Sequence, residues 1–177
     1  MGFCLFNNVA VGALRAREVH GFRRIAVVDF DVHHGNGTQA RFEADDGLFY
    51  ASTHQSPLYP GTGSAGETGV GNIVNVPLRP MAGSIQFRAA MSERILPALD
   101  TFRPEFVLIS AGFDAHRSDP LAQLLLDEED YTWVTERLIE IADRHASGRL
   151  VSALEGGYDL PALGASVVAH VRALMSV

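Results

Sequence analysis

The residues able to do chemistry sit behind three short apolar runs. Ile25–Phe30 leads into Asp29-Phe30-Asp31-Val32-His33-His34-Gly35-Asn36. Phe106–Ser110 leads into Ala111-Gly112-Phe113-Asp114-Ala115-His116, and Leu150–Leu154 into Glu155-Gly156-Gly157-Tyr158. Asp31 and His33 are two apart, so in an extended segment they share a face and can reach one ion. Asp114 would add a ligand from a neighbouring strand. Three protein ligands with an open position make a catalytic zinc site, where a bound water can ionise near neutral pH. Two carboxylates offset the ion's charge, so this set acidifies water less than three histidines would. Taken singly the signals are bland: Asp-x-His is a common pair, Asp114 could cap a turn, and Tyr158 could be an aromatic after a Gly-Gly turn. Their shared placement makes the site. His34 and His116 read as structural neighbours, and His20, His145 and His170 on helices carry no signal.

Those runs need a scaffold. Asn7 or Asn8 can cap a helix whose apolar face is Val11, Leu14 and Val19, ended by Gly21. Ile25–Phe30, Leu48–Ser52, Ile73–Val76, Phe106–Ser110 and Leu150–Leu154 read as strands. The Gly-rich stretch from Tyr59 to Gly71 is a loop. Ser84 can cap a second helix with Ile85, Ala89, Ile95, Leu96, Leu99 and Phe102 on one side, and Pro97 within it predicts a kink or break. A third helix runs from about Asp130 to Ser147, with Trp133, Leu138 and Ile141 inward and Gly148 as its stop. Pro161 fits the first turn of a last helix reaching Met175. Strands alternating with helices predict an α/β domain with a mostly parallel sheet covered on both faces, as one unit over residues 1–177. Ligands then bind beyond the carboxyl ends of the strands.

Composition excludes several classes. The 177 residues are 47% hydrophobic and 20% charged, with a formal net charge of −7. That disfavours nucleic acid, whose binders cluster Lys and Arg, and leaves room for a cationic substrate, which an acidic surface would attract. Cys4 is the single cysteine, so no internal disulfide forms. It reads as a small buried apolar residue, and a reducing cytoplasmic setting fits. No apolar run approaches the roughly 20 residues of a membrane span, and Met-Gly-Phe-Cys lacks the pattern of a signal peptide. Gly61-Thr62-Gly63-Ser64-Ala65-Gly66 matches G-x-G-x-x-G, but a strand follows where a dinucleotide site needs a helix.

The stretches GFCLFNN (2–8), DFDVHHGNGTQ (29–39), YPGTGS (59–64), SAGFDAHRSDPL (110–121) and LEGGYDL (154–160) resemble the histone deacetylase family, nearer its class II-like and bacterial acetylpolyamine amidohydrolase members. The resemblance implies the three-layer α/β/α arginase/deacetylase fold, incomplete at its N-terminal side. It implies zinc on Asp31, His33 and Asp114, and Tyr158 as the residue stabilising the oxyanion. It also implies potassium beside the zinc at Asp29, Asp31, His33 and Ser52, partly through main-chain oxygens. Gly2, Phe3, Tyr59 and Gly157 would contact the substrate, with Phe3 and Tyr59 lining a tunnel. The implied reaction is hydrolysis of an N-acetyl amide, in an acetyl-lysine peptide or an acetylated small amine such as an acetylpolyamine, to acetate and a free amine.

One family feature is missing. A His-His pair that handles protons precedes the GFC segment in the family, and this chain begins at Met1-Gly2-Phe3. The expectation is a truncated domain with impaired turnover, since general acid–base catalysis contributes about 10²–10⁴ in rate, and with some apolar surface uncovered. Two alternatives stand beside it. One is a non-catalytic zinc-binding remnant. The other is the arginase branch with two manganese ions, for which Gly112, Gly35 and Asn36 stand where further carboxylates are needed.

Overall fold

The computed structural model describes residues 4–175. Five strands alternate with helices: α1 (Asn8–His20), β1 (Ile25–Asp29), α2 (Asn36–Phe42), β2 (Leu48–Gln55), β3 (Ile73–Leu78), α3 (Ser84–Ala90), α4 (Leu96–Phe102), β4 (Phe106–Ala111), α5 (Glu128–Ala146), β5 (Leu150–Leu154) and α6 (Leu160–Met175). All strand pairs are parallel, in the order β3-β2-β1-β4-β5. The chain winds outward from β1 through β2 to β3, returns to β1's other side as β4, and ends at β5. The order therefore reverses between β1 and β4, and the carboxyl ends of those two strands flank the crevice where doubly wound sheets bind ligands.

Strand period splits the core into two layers. Ala26 and Val28 point toward Ile109, Phe87, Met91, Ile95, Leu99 and the inner face of α5. Ile25 and Val27 point the other way, toward α1, Phe42 of α2, Leu48 and Tyr50. The product is the α/β/α sandwich expected. Burying a strand on both faces removes alternation from its sequence, which is why β1 reads as a continuous apolar run.

Several local expectations fail. The buried face of α1 is Val9, Ala10, Ala13 and Ala16, whereas Val11 is 60% and Val19 51% exposed. Small residues win because this helix lies close to the sheet: a Cβ on Gly12 would meet Leu108 Cδ2 at 3.2 Å. Asn7 is the cap, its side chain accepting from the Ala10 amide at 2.9 Å. Gly83, not Ser84, precedes α3, leaving the Ser84 hydroxyl to donate to Asp130 at 2.7 Å, and Ile85 faces solvent. Pro97 bends nothing apart: its missing amide coincides with a wider π turn over Met91–Ile95, and the helix continues into α4. Cys4 is exposed, not buried. Among the described residues no helix is long and apolar enough to cross a membrane.

Candidate metal centre

The loops after β1 and β4 bring Asp31, His33 and Asp114 together, with one ligand atom from each lying within 4.8 Å of the others. Nδ1 of His33 lies 3.1 Å from Oδ1 of Asp31 and 3.1 Å from Oδ2 of Asp114. Backbone donors fix the carboxylates. The Val32 amide donates to Asp114 Oδ1 at 2.8 Å, the His33 amide to Asp31 Oδ1 at 2.8 Å, and the Gly156 amide to Asp31 Oδ2 at 2.8 Å. Each carboxylate thus has its orientation set by amides while its remaining lone pairs face the imidazole.

The electrostatics call for positive charge. Hydrogen bonds to Asp114 and Asp31 push the His33 imidazole up to about 10. Burial, then the neighbouring Asp31, push the Asp114 carboxyl up to about 6. One buried carboxylate, Asp114, and one half-buried carboxylate, Asp31, around a single imidazole nitrogen favour a cation between them. One nitrogen and two carboxylate oxygens in this cluster fit a divalent cation of the zinc class.

Glycines make the crowding possible. A Cβ on Gly112 would collide with Asp31, and one on Gly156 with the carboxylates of both Asp114 and Asp31. At Gly35 a Cβ would stand 2.5 Å from Asp29 Oδ2 and 2.6 Å from the Tyr50 hydroxyl. Gly157 has φ +144°, open chiefly to glycine, and it turns the chain into Tyr158.

Tyr158 is 38% exposed. Burial, then the charges of Asp114 and Asp31, push its phenol up to about 12, so it stays protonated and able to donate. Its own amide donates to Asp119 Oδ2 at 2.7 Å. Asp29 is buried beside the centre and pushed up by burial and by Asp31. Its oxygens accept from the Asp31 amide at 3.1 Å and the Tyr50 hydroxyl at 2.9 Å. Ser52, opposite Asp29 in the β1–β2 register, is buried with its hydroxyl 2.9 Å from His54 Nδ1. The side-chain oxygens of Asp29 and Ser52 thus each have a protein partner, and the Asp29 carboxylate keeps further lone pairs.

Tyr59 is exposed at the start of the Gly-rich loop. That loop is clamped to the sheet: Glu67 accepts from the amides of Gly63 and Ser64, Gln39 donates to Glu67 at 2.6 Å, and His34 bonds Gln39 and Thr62 at 2.8 Å each. His34 is thus a structural neighbour, as expected. Gly2 and Phe3 lie outside the described residues. Sequence reasoning missed Tyr50, Asp119 and the glycines at 112 and 156. The glycines stand directly behind strand ends, where a small residue signals a close approach.

Comparison with known proteins follows the same lines. The histone deacetylase domain model matches residues 1–174. The chain belongs to the histone deacetylase family. Histone deacetylase 14, chloroplastic, of Arabidopsis thaliana is 44% identical over 179 residues, covering 99% of this chain and 42% of that protein. The histone deacetylase-like amidohydrolase of Pseudomonas aeruginosa is 42% identical, covering 99% and 48%. The crystal structure of the HDA15 HD domain superimposes with TM-score 0.93 at 41% identity, covering 99% of this chain and 50% of that one. The fold is therefore that of histone deacetylase domains, and the chain spans about half the length of the curated relatives it matches.

Proposed function

We propose that this histone deacetylase-family chain holds one zinc ion on Asp31, His33 and Asp114 and belongs to an amidohydrolase that removes acetyl groups from N-acetylated amines. The observation that carries this is the meeting of those three side chains at the reversal point of the sheet. Zinc there would supply Lewis acidity and an activated water. The rest is the protein's work. Asp31 and Asp114, fixed by backbone amides, hold the ion and orient His33. Tyr158, a protonated phenol at neutral pH, donates a hydrogen bond to the acetyl carbonyl and stabilises the charge that develops on its oxygen. Gly157 gives the chain the turn that presents the phenol. Tyr59 contacts the aliphatic stem of an acetyl-lysine peptide or an acetylated small amine, a role the family resemblance also gives to Phe3, with Gly2 as a further substrate contact. A potassium ion beside the zinc would be held by Asp29, Asp31, His33 and Ser52, partly through main-chain oxygens.

Among the described residues, no imidazole other than that of His33 is hydrogen-bonded to Asp29, Asp31 or Asp114. His34, His54, His116 and His170 bond other groups. The described residues therefore place no second imidazole beside the cluster as a proton carrier, a function worth about 10²–10⁴ in rate in general acid–base catalysis. The experiment is hydrolysis of a fluorogenic acetyl-lysine peptide by the zinc-loaded chain. Slow turnover that falls about 10²–10³-fold further in Tyr158→Phe is expected. Turnover indifferent to Tyr158 would reject the reading.

A further inference from the structure

Asp119 is a buried carboxylate that forms no ion pair among the described residues. It is 6% exposed, and neither of its oxygens meets an Arg or Lys among the ion pairs of the described residues. Such a group is costly to bury unless hydrogen bonds replace its lost water. Here two backbone amides do so: Leu121 donates to Oδ1 at 3.0 Å and Tyr158 to Oδ2 at 2.7 Å. The first bond is local. The second spans 39 positions and joins the loop after β4 to the loop after β5.

On its N-terminal side the loop after β5 is held by three bonds. The Glu155 amide donates to Ala111 O at 2.9 Å, the Gly156 amide to Asp31 Oδ2 at 2.8 Å, and the Gly156 carbonyl accepts from Phe113 at 2.7 Å. All three lie before Gly157. After Gly157, a residue with φ +144° and little intrinsic preference for that conformation, the Asp119 bond is the tether at the amide of Tyr158 itself. Asp119 is set by the same loop that carries Asp114, because its amide donates to His116 O at 2.9 Å.

We infer that Asp119 is the positioning residue for Tyr158, registering its phenol against the Asp31–His33–Asp114 cluster without itself touching the reacting atoms. The inference rests on the proposed role of Tyr158. Its carboxylate does two jobs at once: it fixes the backbone after a free-turning glycine, and it references that backbone to the loop holding a metal ligand. A displacement of the phenol by about 1 Å is enough to cost on the order of 10²-fold in rate.

The test uses the full zinc-loaded chain with Asp119→Ala, Asp119→Asn, Tyr158→Phe and the Asp119→Ala/Tyr158→Phe double variant. Backbone amide exchange at Tyr158 is expected to accelerate about tenfold or more in Asp119→Ala, the factor a charge-assisted hydrogen bond represents, while Gly156 stays protected. Zinc affinity is expected to stay within about twofold, because no ligand is lost. The kcat for an acetyl-lysine peptide is expected to fall about 100-fold with KM little changed, and Asp119→Ala should add nothing to Tyr158→Phe. Asp119→Asn keeps one acceptor and gives an intermediate kcat, and the same exchange and kcat comparison is made on it should Asp119→Ala fail to fold. Undiminished protection at Tyr158, equal losses of zinc affinity and kcat, or losses that multiply in the double variant would each overturn the assignment. An unchanged kcat in Tyr158→Phe would instead sink the role of Tyr158, and the exchange data separate that failure from failure of the tether.

Discussion

The amide of Gly156 donates to Oδ2 of Asp31 at 2.8 Å across 125 positions of sequence. That bond ties the loop after the edge strand β5 to a metal-ligand carboxylate after the central strand β1. The loop bearing Tyr158 and the cluster that would hold zinc are therefore one mechanical unit. The consequences are testable by substitution.

Gly156→Ala places a methyl group into the carboxylates of Asp114 and Asp31, and Gly112→Ala places one into Asp31. Either change should weaken zinc binding about 10- to 100-fold, the range seen when groups supporting metal ligands are disturbed. Competition with a chromophoric chelator measures this. Gly164→Ala serves as the control: its Cβ, in the second turn of α6, would meet nothing within 4 Å. It should leave zinc affinity unchanged and raise stability by about 0.5–1 kcal/mol.

Asn72 is a second structural dependency. Its Nδ2 lies 2.8 Å from Phe42 O, 2.9 Å from Asp45 O and 2.6 Å from Leu48 O, closing the turn that feeds β2. Asn72→Ala orphans carbonyls in a buried setting and should cost about 2–3 kcal/mol in urea unfolding. Asn72→Asp should cost at least as much, since it sets an acceptor against carbonyl oxygens.

Acid should loosen the protein through His170. This residue is buried, its Nδ1 is 2.6 Å from Thr135 Oγ1, and its Nε2 is 2.8 Å from Ser152 Oγ. Burial lowers it from the usual 6.5 to about 4. The unfolded chain therefore binds this proton at a higher pH than the folded one. The contribution is intact above pH 6.5 and declines as pH falls toward 4, by at most about 1.4 kcal/mol per pH unit. Below that it levels off. The Gln variant at this position should show a shallower loss of urea midpoint between pH 6.5 and 4.5 than the parent, and parallel profiles would contradict this.

Much of this was legible in the sequence because strand ends advertise themselves. β1 is apolar on both faces, so its end and the Asp31–His33 pair behind it could be placed. The same logic placed Asp114 and Tyr158. Helix faces were harder. Val11 and Ile85 look like core by hydropathy, but alanines and Gly12 face the sheet where the backbone comes close. The short helix α2, Asn36–Phe42, was hidden by Gly37 and by a start without a side-chain cap. Asp119 and Tyr50 could not be assigned, because what each does depends on a partner 39 or 21 positions away, and no local pattern encodes that.

The most direct test is to titrate the purified, chelator-treated chain with zinc and follow both stoichiometry and the His33 ring resonances by NMR. One zinc per chain is expected, coordinated through His33 Nδ1, with binding abolished in Asp31→Ala and in Asp114→Ala while both variants remain folded. Two tightly bound ions per chain, or one that survives loss of either carboxylate, would contradict it.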